Sequence, residues 1–417
     1  MAQDVQRQIF VNAGPIAHFA NGDTSTPLVG AEMHSDLQLY PAGMGFVVES
    51  GMFVHFASSE EIIQEYSNSA MIDLQGKAVI PGFVDAHTHL LWSGDRSGEM
   101  RMRQQGMSYK DIAATGGGIR YTVEKTRECQ NFDQIAEQRI RQSISMGTTA
   151  IEVKSGYGLE TQTELRMLES YSRMREKFPN ISIHITWMGA HDIPNGLDRK
   201  QYVESLLSEQ LPSVLEQGHA DSVDVFCEPG WFTLSDTEDI CRESINGGLN
   251  VRLHVDEFVD GGGLDLAAEL GARTADHALH SNDDARENAS KAGTVQGFLP
   301  GTPYVLGNDN FPPAILCNEN NWAWSLASDF NPNCQSLSIP MAGSLATHRM
   351  RVDPIAALAA STRNPATTLT DDRLIDGIIS VGSKANFNVL HSHLVESWCQ
   401  TPGQSPIFQT YIMGKRY

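Results

Sequence analysis

Between residues 79 and 328 the chain alternates short apolar segments with longer amphipathic ones. The amphipathic stretches are typical of helices; one of them carries apolar residues at helical spacing, namely Phe132, Ile135, Ala136, Ile140 and Ile144. The short segments have the length and apolar content of buried strands. Eight such units predict an α/β protein whose parallel sheet closes into a (β/α)8 TIM barrel. The eight predicted strands cover residues 79–87, 148–153, 181–188, 222–227, 249–254, 274–278, 294–299 and 322–328.

Both ends of the chain have a different pattern. Residues up to about 78 carry short alternating stretches, such as 45–57, separated by glycine and asparagine, and the chain after about residue 374 returns to this pattern. Such stretches are typical of small β-sheets. We therefore predict that residues 1–78 and 370–417 form one composite β-sandwich domain beside a barrel at residues 79–369.

Composition narrows the class of protein. The 417 residues are 41% hydrophobic, enough for a barrel-sized core. A net charge of −21 disfavours nucleic acid and anionic membranes as partners. The six cysteines form no C-x-x-C pair, and the sequence shows neither a signal-peptide pattern nor an apolar run of about 20 residues. These features predict a cytoplasmic protein with reduced thiols.

Candidate metal ligands stand at the ends of several predicted strands. Alternate strand residues point to one face, so His87 and His89 can bind one ion, although an isolated His-X-His can equally be structural. Further candidates, His254, His277 and Asp329, end other strands. The carboxyl ends of barrel strands meet at one face. The sequence therefore predicts a metal site there.

Several of these segments resemble one family. They are similar, over nearly the whole chain, to the imidazolonepropionases of the amidohydrolase superfamily. Two departures are Trp187-Met188, where the family has His-Leu, and Ala385-Asn386, where it has Ala-Asp. The first is expected close to the pocket. The segments that carry the resemblance include PGFVDAHTH at 81–89, KSGYG at 154–158, GAH at 189–191, HVDEF at 254–258 and SDFNP at 328–332.

The donor types indicate the metal. Three imidazoles and one carboxylate favour Zn²⁺, with iron (Fe²⁺ or Fe³⁺) as the alternative, and leave a position for water. The predicted strand 222–227 ends in Cys227-Glu228 and not in a lysine that could be carboxylated to bridge two ions. One ion per chain is therefore favoured, with a bridging Glu228 left open. The predicted ligands are His87, His89, His254 and Asp329.

The resemblance also implies a reaction, in which water opens 4-imidazolone-5-propanoate to N-formimino-L-glutamate in histidine degradation. Glu257, three residues beyond His254, is the predicted general base, with a surface glutamate as the alternative. His277 would polarise the attacked carbonyl or orient the water, beside the catalytic ligand Asp329. Arg96 would bind the anionic tail through its guanidinium fork. The residues predicted to complete the substrate pocket are Tyr109, Tyr157, His191 and Asn331.

Three alternatives stay open from the sequence. The altered Trp187-Met188 allows a closely related imidazolone or hydantoin-like acid as substrate. A deaminase of the same superfamily would use a similar metal, glutamate and histidine set. A non-catalytic scaffold would be expected to lack ligands, and none is missing. The expected partners are a small anionic substrate and, by resemblance alone, a second copy of the chain in a homodimer.

Overall fold

The computed structural model describes residues 7–107, 111–112, 115–370 and 376–417. Tyr109, predicted to line the substrate pocket, lies outside the described residues. Strands from both ends of the chain form two sheets, and strands from its middle form a third. The strands in chain order are β1 (Arg7–Val11), β2 (Ile16–Ala17), β3 (Leu39–Tyr40), β4 (Met44–Glu49), β5 (Met52–Ser58), β6 (Met71–Asp73), β7 (Val79–Pro81), β8 (Phe83–Asp85), β9 (Thr148–Lys154), β10 (Ser182–Ala190), β11 (Ser222–Cys227), β12 (Asn250–Val255), β13 (Thr274–His277), β14 (Val295–Phe298), β15 (Trp324–Leu326), β16 (Phe387–Leu390), β17 (Ile407–Ile412) and β18 (Lys415–Arg416).

Strands β8 to β15 form the predicted barrel. Each pairs in parallel with the next in chain order. A parallel bridge between Thr88 and Phe330 joins the ends of β8 and β15, and the amide of His89 donates to the Phe330 carbonyl at 2.8 Å. All eight predicted segments contribute a strand, so the (β/α)8 prediction is confirmed.

Helices follow most barrel strands and bury one face against the sheet. In the helix Phe132–Ser145 the buried positions include Phe132, Ala136, Ile140 and Ile144, and Gly147 ends the turn after it with a left-handed φ of 92°. The α-helices are Ser59–Glu65, Glu99–Gln104, Gly118–Glu128, Phe132–Ser145, Thr161–Lys177, Arg199–Ser205, Leu211–Gln217, Leu234–Asn246, Gly263–Glu269, Asp283–Ala292, Gly301–Leu306, Ala314–Asn320, Ile339–His348, Pro354–Ala359 and Arg363–Ala366. A π-helical turn covers Leu206–Gln210, and 3-10 turns cover Gly30–His34, Asp36–Gln38 and Val395–Cys399.

The first predicted strand is divided between two sheets. Its start, β7, pairs with β2 and antiparallel with β16, whereas its end, β8, belongs to the barrel. Gly82 lies between them, where a Cβ atom would come within 2.1 Å of the Thr149 hydroxyl. The chain therefore crosses from one sheet to the next at a position that only glycine can fill without a rearrangement.

Strands from both chain ends do form one β-structure, as predicted. One sheet has the order β5-β4-β1-β6 and the other β18-β17-β16-β7-β2-β3. Their shared core is aromatic: Phe10 stacks on Phe46 at 4.9 Å, and Phe387 stacks on Tyr411 at 4.7 Å. Phe10 also meets Phe387 edge to face. This contact joins the N-terminal and C-terminal strands, while the domain boundaries at 78/79 and 369/370 stay predictions.

Two further predictions concern the environment of the chain. All six cysteines are buried and free of disulfides, as expected for reduced core thiols. Among the described residues, no helix combines the length and apolar content that a membrane span requires. The cytoplasmic location stays a prediction.

Candidate active site

The four predicted metal ligands converge at the carboxyl ends of three strands. His87 and His89 follow β8, His254 lies in β12 and Asp329 follows β15. Nε2 of His89 lies 3.2 Å from Nε2 of His254. The Asp329 Oδ1 atom lies 3.7 Å from Nε2 of His87 and 3.9 Å from Nε2 of His89. All four side chains are buried.

The donor atoms fit a cation. Nδ1 of His254 donates to Asp224 at 2.9 Å, and Nδ1 of His87 donates to Asp276 at 2.7 Å. Each Nε2 therefore carries a lone pair, and a carboxylate behind a ligating histidine is the usual arrangement in metal sites. Nε2 of His87 is buried without a hydrogen-bond partner among the described residues. A metal ion would satisfy it.

The protonation states suit metal binding. Burial, followed by the charge of Lys154, holds the pKa of His87 well below its ordinary value. Burial and the neighbouring His191 do the same for the pKa of His89. Neutral imidazole is the form that binds metal. Both ligands are thus in that form at neutral pH.

A charged layer lies beneath the ligands, and sequence reasoning missed it. Nζ of Lys154 lies 2.8 Å from Asp224 and 2.9 Å from Glu152, and all three are fully buried. Burial favours a higher pKa for Asp224, but attraction to His254 and Lys154 and their hydrogen bonds hold that pKa well below the usual range. Burial raises the pKa of Asp276 to about 6, against the opposing charge of Lys154. Polar residues inside otherwise apolar strands were the available signal.

Glu257 and His277 lie beside the ligands. Oε2 of Glu257 is 3.7 Å from Nε2 of His277, and the two side chains are only 13% and 6% exposed. Burial, then the charges of Asp329 and Glu228, raises the pKa of Glu257 well above its ordinary value. The surface-glutamate alternative therefore does not describe Glu257. A largely buried carboxyl group with a raised pKa beside a histidine is a candidate proton carrier.

Glu228 is hydrogen-bonded to the backbone of the segment that carries Glu257. Its carboxylate accepts hydrogen bonds from the amides of Glu257, Phe258 and Val259 at 3.0, 3.1 and 3.1 Å. Both carboxylate oxygens take part. The metal-bridging alternative for Glu228 therefore has no support in these contacts.

One cavity of about 130 Å³ brings the candidates together. It is lined by the ligands His89, His254 and Asp329, by Glu257 and His277, and by the predicted substrate residues Arg96, Tyr157, His191 and Asn331. A larger cavity of about 950 Å³ shares Arg96, Leu306 and Asn333 with it. The two cavities are therefore neighbours, and the smaller one is the candidate reaction site.

The predicted substrate residues are held by specific contacts. Arg96 is buried and donates to both carboxylate oxygens of Glu99, at 3.0 and 2.9 Å. The His191 ring stacks on His89 at 4.8 Å, and its Nδ1 donates to the Gly156 carbonyl at 2.9 Å. Asn331 donates to the backbone carbonyl of Asp329 at 2.9 Å. These contacts fix the orientation of the three side chains.

The two departures from the family pattern do not line this cavity. Trp187 and Met188 are fully buried, and the Trp187 indole donates to Gln210 at 3.1 Å. Neither is among the described residues that line the cavity. Asn386 donates to Asp376 at 2.9 Å, and the Met413 amide donates to Asn386. The altered Trp187-Met188 therefore gives no reason to expect a different substrate.

Comparisons with known proteins identify the fold and the family. The profile of the amidohydrolase family matches residues 70–192. The 5-methylcytosine deaminase of Klebsiella pneumoniae has the same fold, with a TM-score of 0.69 and 17% identity over 98% of this chain and 97% of that one. The guanine deaminase of C. acetobutylicum gives a TM-score of 0.68 and 13% identity over 99% and 100%. At these identities the two structures support the fold alone.

Sequence relatives are more specific. The imidazolonepropionase of Symbiobacterium thermophilum is 37% identical over 391 residues, which are 92% of this chain and 90% of that one. The imidazolonepropionase of Haloarcula marismortui is 38% identical over 338 residues, 80% of each chain. The predicted resemblance and the assignment to hydrolases of C–N bonds are confirmed. The chain belongs to the imidazolonepropionase family of the amidohydrolases.

Proposed function

We propose that this chain hydrolyses 4-imidazolone-5-propanoate to N-formimino-L-glutamate in histidine degradation. The family membership supports the reaction. The observation that carries the proposal is one cavity that joins three of the four predicted metal ligands, the Glu257–His277 pair and the Arg96 guanidinium. These are the groups that a hydrolysis of a cyclic amide with an anionic tail requires.

His87, His89, His254 and Asp329 would hold one ion per chain, Zn²⁺ or iron. When bound, such an ion would supply Lewis acidity, which lowers the pKa of water to about 7. The donor set supports this assignment because three neutral imidazoles and a carboxylate suit both metals. The hydrogen bonds of Glu228 to three amides favour one ion over two.

Glu257 acts as the proton carrier. Its carboxylate accepts a proton from the water that attacks the ring carbonyl carbon. The C–N bond breaks after the attack, and Glu257 then delivers this proton to the leaving nitrogen, so that one water molecule is consumed. The raised pKa of Glu257 suits a group that must both take and return a proton.

The other cavity residues orient the substrate. His277, 3.7 Å from Glu257, donates a hydrogen bond to the carbonyl oxygen as negative charge develops there. The Arg96 guanidinium binds the propanoate carboxylate. Tyr157, His191 and Asn331 contact the ring and the tail, and Tyr109 is assigned to the same group by the resemblance.

The deaminase alternative predicts a different product. Deamination would release ammonia from an exocyclic amine and leave the ring closed. We expect the purified, metal-loaded protein to consume imidazolone propanoate, to form N-formimino-L-glutamate and to release no ammonia. Ammonia release with an intact ring, or no turnover by protein that holds its metal, would overturn the proposal. The homodimer is a separate proposal, tested by the mass of the protein in solution.

A further inference from the structure

Lys154 opens the Lys-Ser-Gly-Tyr-Gly motif and has no role in the proposed reaction. Its side chain is fully buried and faces three carboxylates. Nζ lies 2.8 Å from Oδ2 of Asp224, 2.9 Å from Oε1 of Glu152 and 4.0 Å from Oδ2 of Asp276. One ammonium thus sits at the centre of a buried acidic cluster.

Two of these carboxylates accept hydrogen bonds from predicted metal ligands. Asp224 accepts both the Nδ1 and the backbone amide of His254, at 2.9 and 3.1 Å. Asp276 accepts Nδ1 of His87 at 2.7 Å. The ligands lie on β12 and after β8, and the carboxylates lie on β11 and β13. Lys154, at the end of β9, therefore connects both ligands through one contact network.

The backbone of Lys154 is hydrogen-bonded to the loop that carries His87 and His89. Its amide donates to the carbonyl of Thr88, the residue between the two ligating histidines of that loop, at 2.9 Å. Its carbonyl accepts from the Tyr171 hydroxyl at 2.9 Å, and that hydroxyl accepts from the Leu91 amide at 2.8 Å. The ammonium therefore projects from a point that is fixed relative to the ligand loop.

The cluster has few other cations. Arg252 is also buried nearby, but it donates to the carbonyls of Ala86 and Thr368. Among the ion pairs of the described residues, Lys154 is the cation that Asp224, Glu152 and Asp276 share. Like charges this close repel one another in a medium of low polarity. Without the ammonium, the carboxylates would separate, and the imidazoles that are hydrogen-bonded to them would move.

We propose that Lys154 is a positioning residue for the metal centre. Its ammonium holds Asp224 and Asp276 in place, so that the Nε2 atoms of His254 and His87 point to one metal ion. The inference rests on the proposed metal site but not on the identity of the substrate. A purely structural role, in which Lys154 only neutralises buried acid for folding, is the competing explanation. Metal affinity separates the two.

The test compares two lysine-to-methionine variants. Lys154→Met removes the shared ammonium. Lys384→Met is the matched control, since Lys384 pairs with Asp376 at 3.0 Å and contacts Ser182, the first residue of β10, at the opposite end of the barrel strands. The probes are Zn²⁺ affinity, measured in competition with a chromophoric chelator, and the visible spectrum of Co²⁺-loaded protein.

We expect Lys154→Met to weaken Zn²⁺ binding 10- to 100-fold, the range found when partners of ligating residues are lost, and to change the Co²⁺ spectrum. Lys384→Met should leave both unchanged. The double variant Lys154→Met/Glu152→Gln removes one charge of each sign, so the net charge of the cluster is kept. Under the proposal it folds and still binds Zn²⁺ weakly.

Wild-type affinity and an unchanged spectrum in the double variant would overturn the proposal in favour of the structural role. Failure of both Lys154 variants to fold would do the same, because folding would then be the role. None of these measurements involves the substrate. Wild-type protein that binds Zn²⁺ but does not open imidazolone propanoate would refute the proposed function and leave this inference standing.

Discussion

Replacing Arg96 with methionine tests whether the cavity is built for an anionic tail. If the guanidinium binds the propanoate, the variant loses a charge-assisted hydrogen-bonded pair worth about 1.5–3 kcal/mol. At about 1.4 kcal/mol for each factor of ten, kcat/KM for the acid should fall roughly 10- to 150-fold. An analogue with an uncharged amide tail never forms the ion pair, so its kcat/KM should fall much less.

The structure adds a complication and its control. Arg96 also pairs with buried Glu99, whose Oε1 accepts the Gly118 amide at 2.7 Å. Removing one member of a buried pair costs about 3–5 kcal/mol, so Arg96→Met alone disturbs the fold. The double variant Arg96→Met/Glu99→Gln removes both charges and keeps an oxygen for Gly118. It is the variant in which the substrate effect should be read.

The assay is steady-state hydrolysis of the acid and the amide by the wild type, Glu99→Gln and the double variant, with unfolding measured in parallel. A selective loss for the acid in the double variant, absent from Glu99→Gln, identifies Arg96 as the tail-binding group. Equal losses for acid and amide would refute this reasoning. Arg96 would then only anchor Glu99, and the anionic substrate would rest on family membership alone.

Three further predictions follow from the site and the fold. His254→Ala should abolish tight metal binding and activity, whereas wild type holds about one ion per chain; metal analysis decides, and a full complement in the variant would contradict the ligand assignment. Glu257→Gln should keep metal and fold but lower kcat by roughly 10²–10⁴, and near-normal turnover would remove Glu257 from catalysis. Burial lowers the pKa of His18 from 6.5 to about 4, against a backbone hydrogen bond that raises it. The unfolded chain therefore takes up this proton at a higher pH than the folded protein, so His18 should reduce the free energy of unfolding as pH falls from 6.5 to 4, by at most about 1.4 kcal/mol per pH unit. Urea titrations at pH 7 and pH 5 should show a larger loss of unfolding free energy for the wild type than for His18→Asn. Equal losses would contradict this prediction.

The barrel could be predicted because buried parallel strands have a pattern of their own. Segments such as 222–227 are apolar with few interruptions, and their count and spacing indicate closure. The division of the first segment could not be predicted, since both halves are apolar and buried. The strand pairing shows where one sheet ends and the next begins, at Gly82, where Thr149 leaves no space for a Cβ atom.

The candidate metal ligands could be proposed from the sequence, but the residues that hold them by hydrogen bonds could not. His87, His89 and His254 stand at strand ends, where pattern and motif agree. Asp276 supports His87 from 189 positions along the chain, and the pairing of Arg96 with Glu99 depends on how one loop folds. Such contacts follow from the closed barrel and leave no periodic mark in a single sequence.

Backbone strain explains why the alternation of strand residues fails at one point of the site. Asp276 and His277 are consecutive, yet Asp276 contacts His87 at 2.7 Å and the His277 ring lies 5.9 Å from the His87 ring. A regular strand would point them to opposite faces. His277 has a left-handed φ of 68°, which turns its side chain towards the cavity.

Asp329 has a φ of 50°, and its neighbour Ser328 donates to Asp85 from the hydroxyl at 2.6 Å. Such conformations cost about 1–3 kcal/mol each and persist where surrounding contacts fix them. Here the Asp329 amide donates to the His87 carbonyl at 3.2 Å, and Thr302 donates to the Asp329 carboxylate. At His277 and Asp329 the strain therefore lies at strand ends that carry candidate site residues, where a packed barrel can hold two neighbouring side chains on one face.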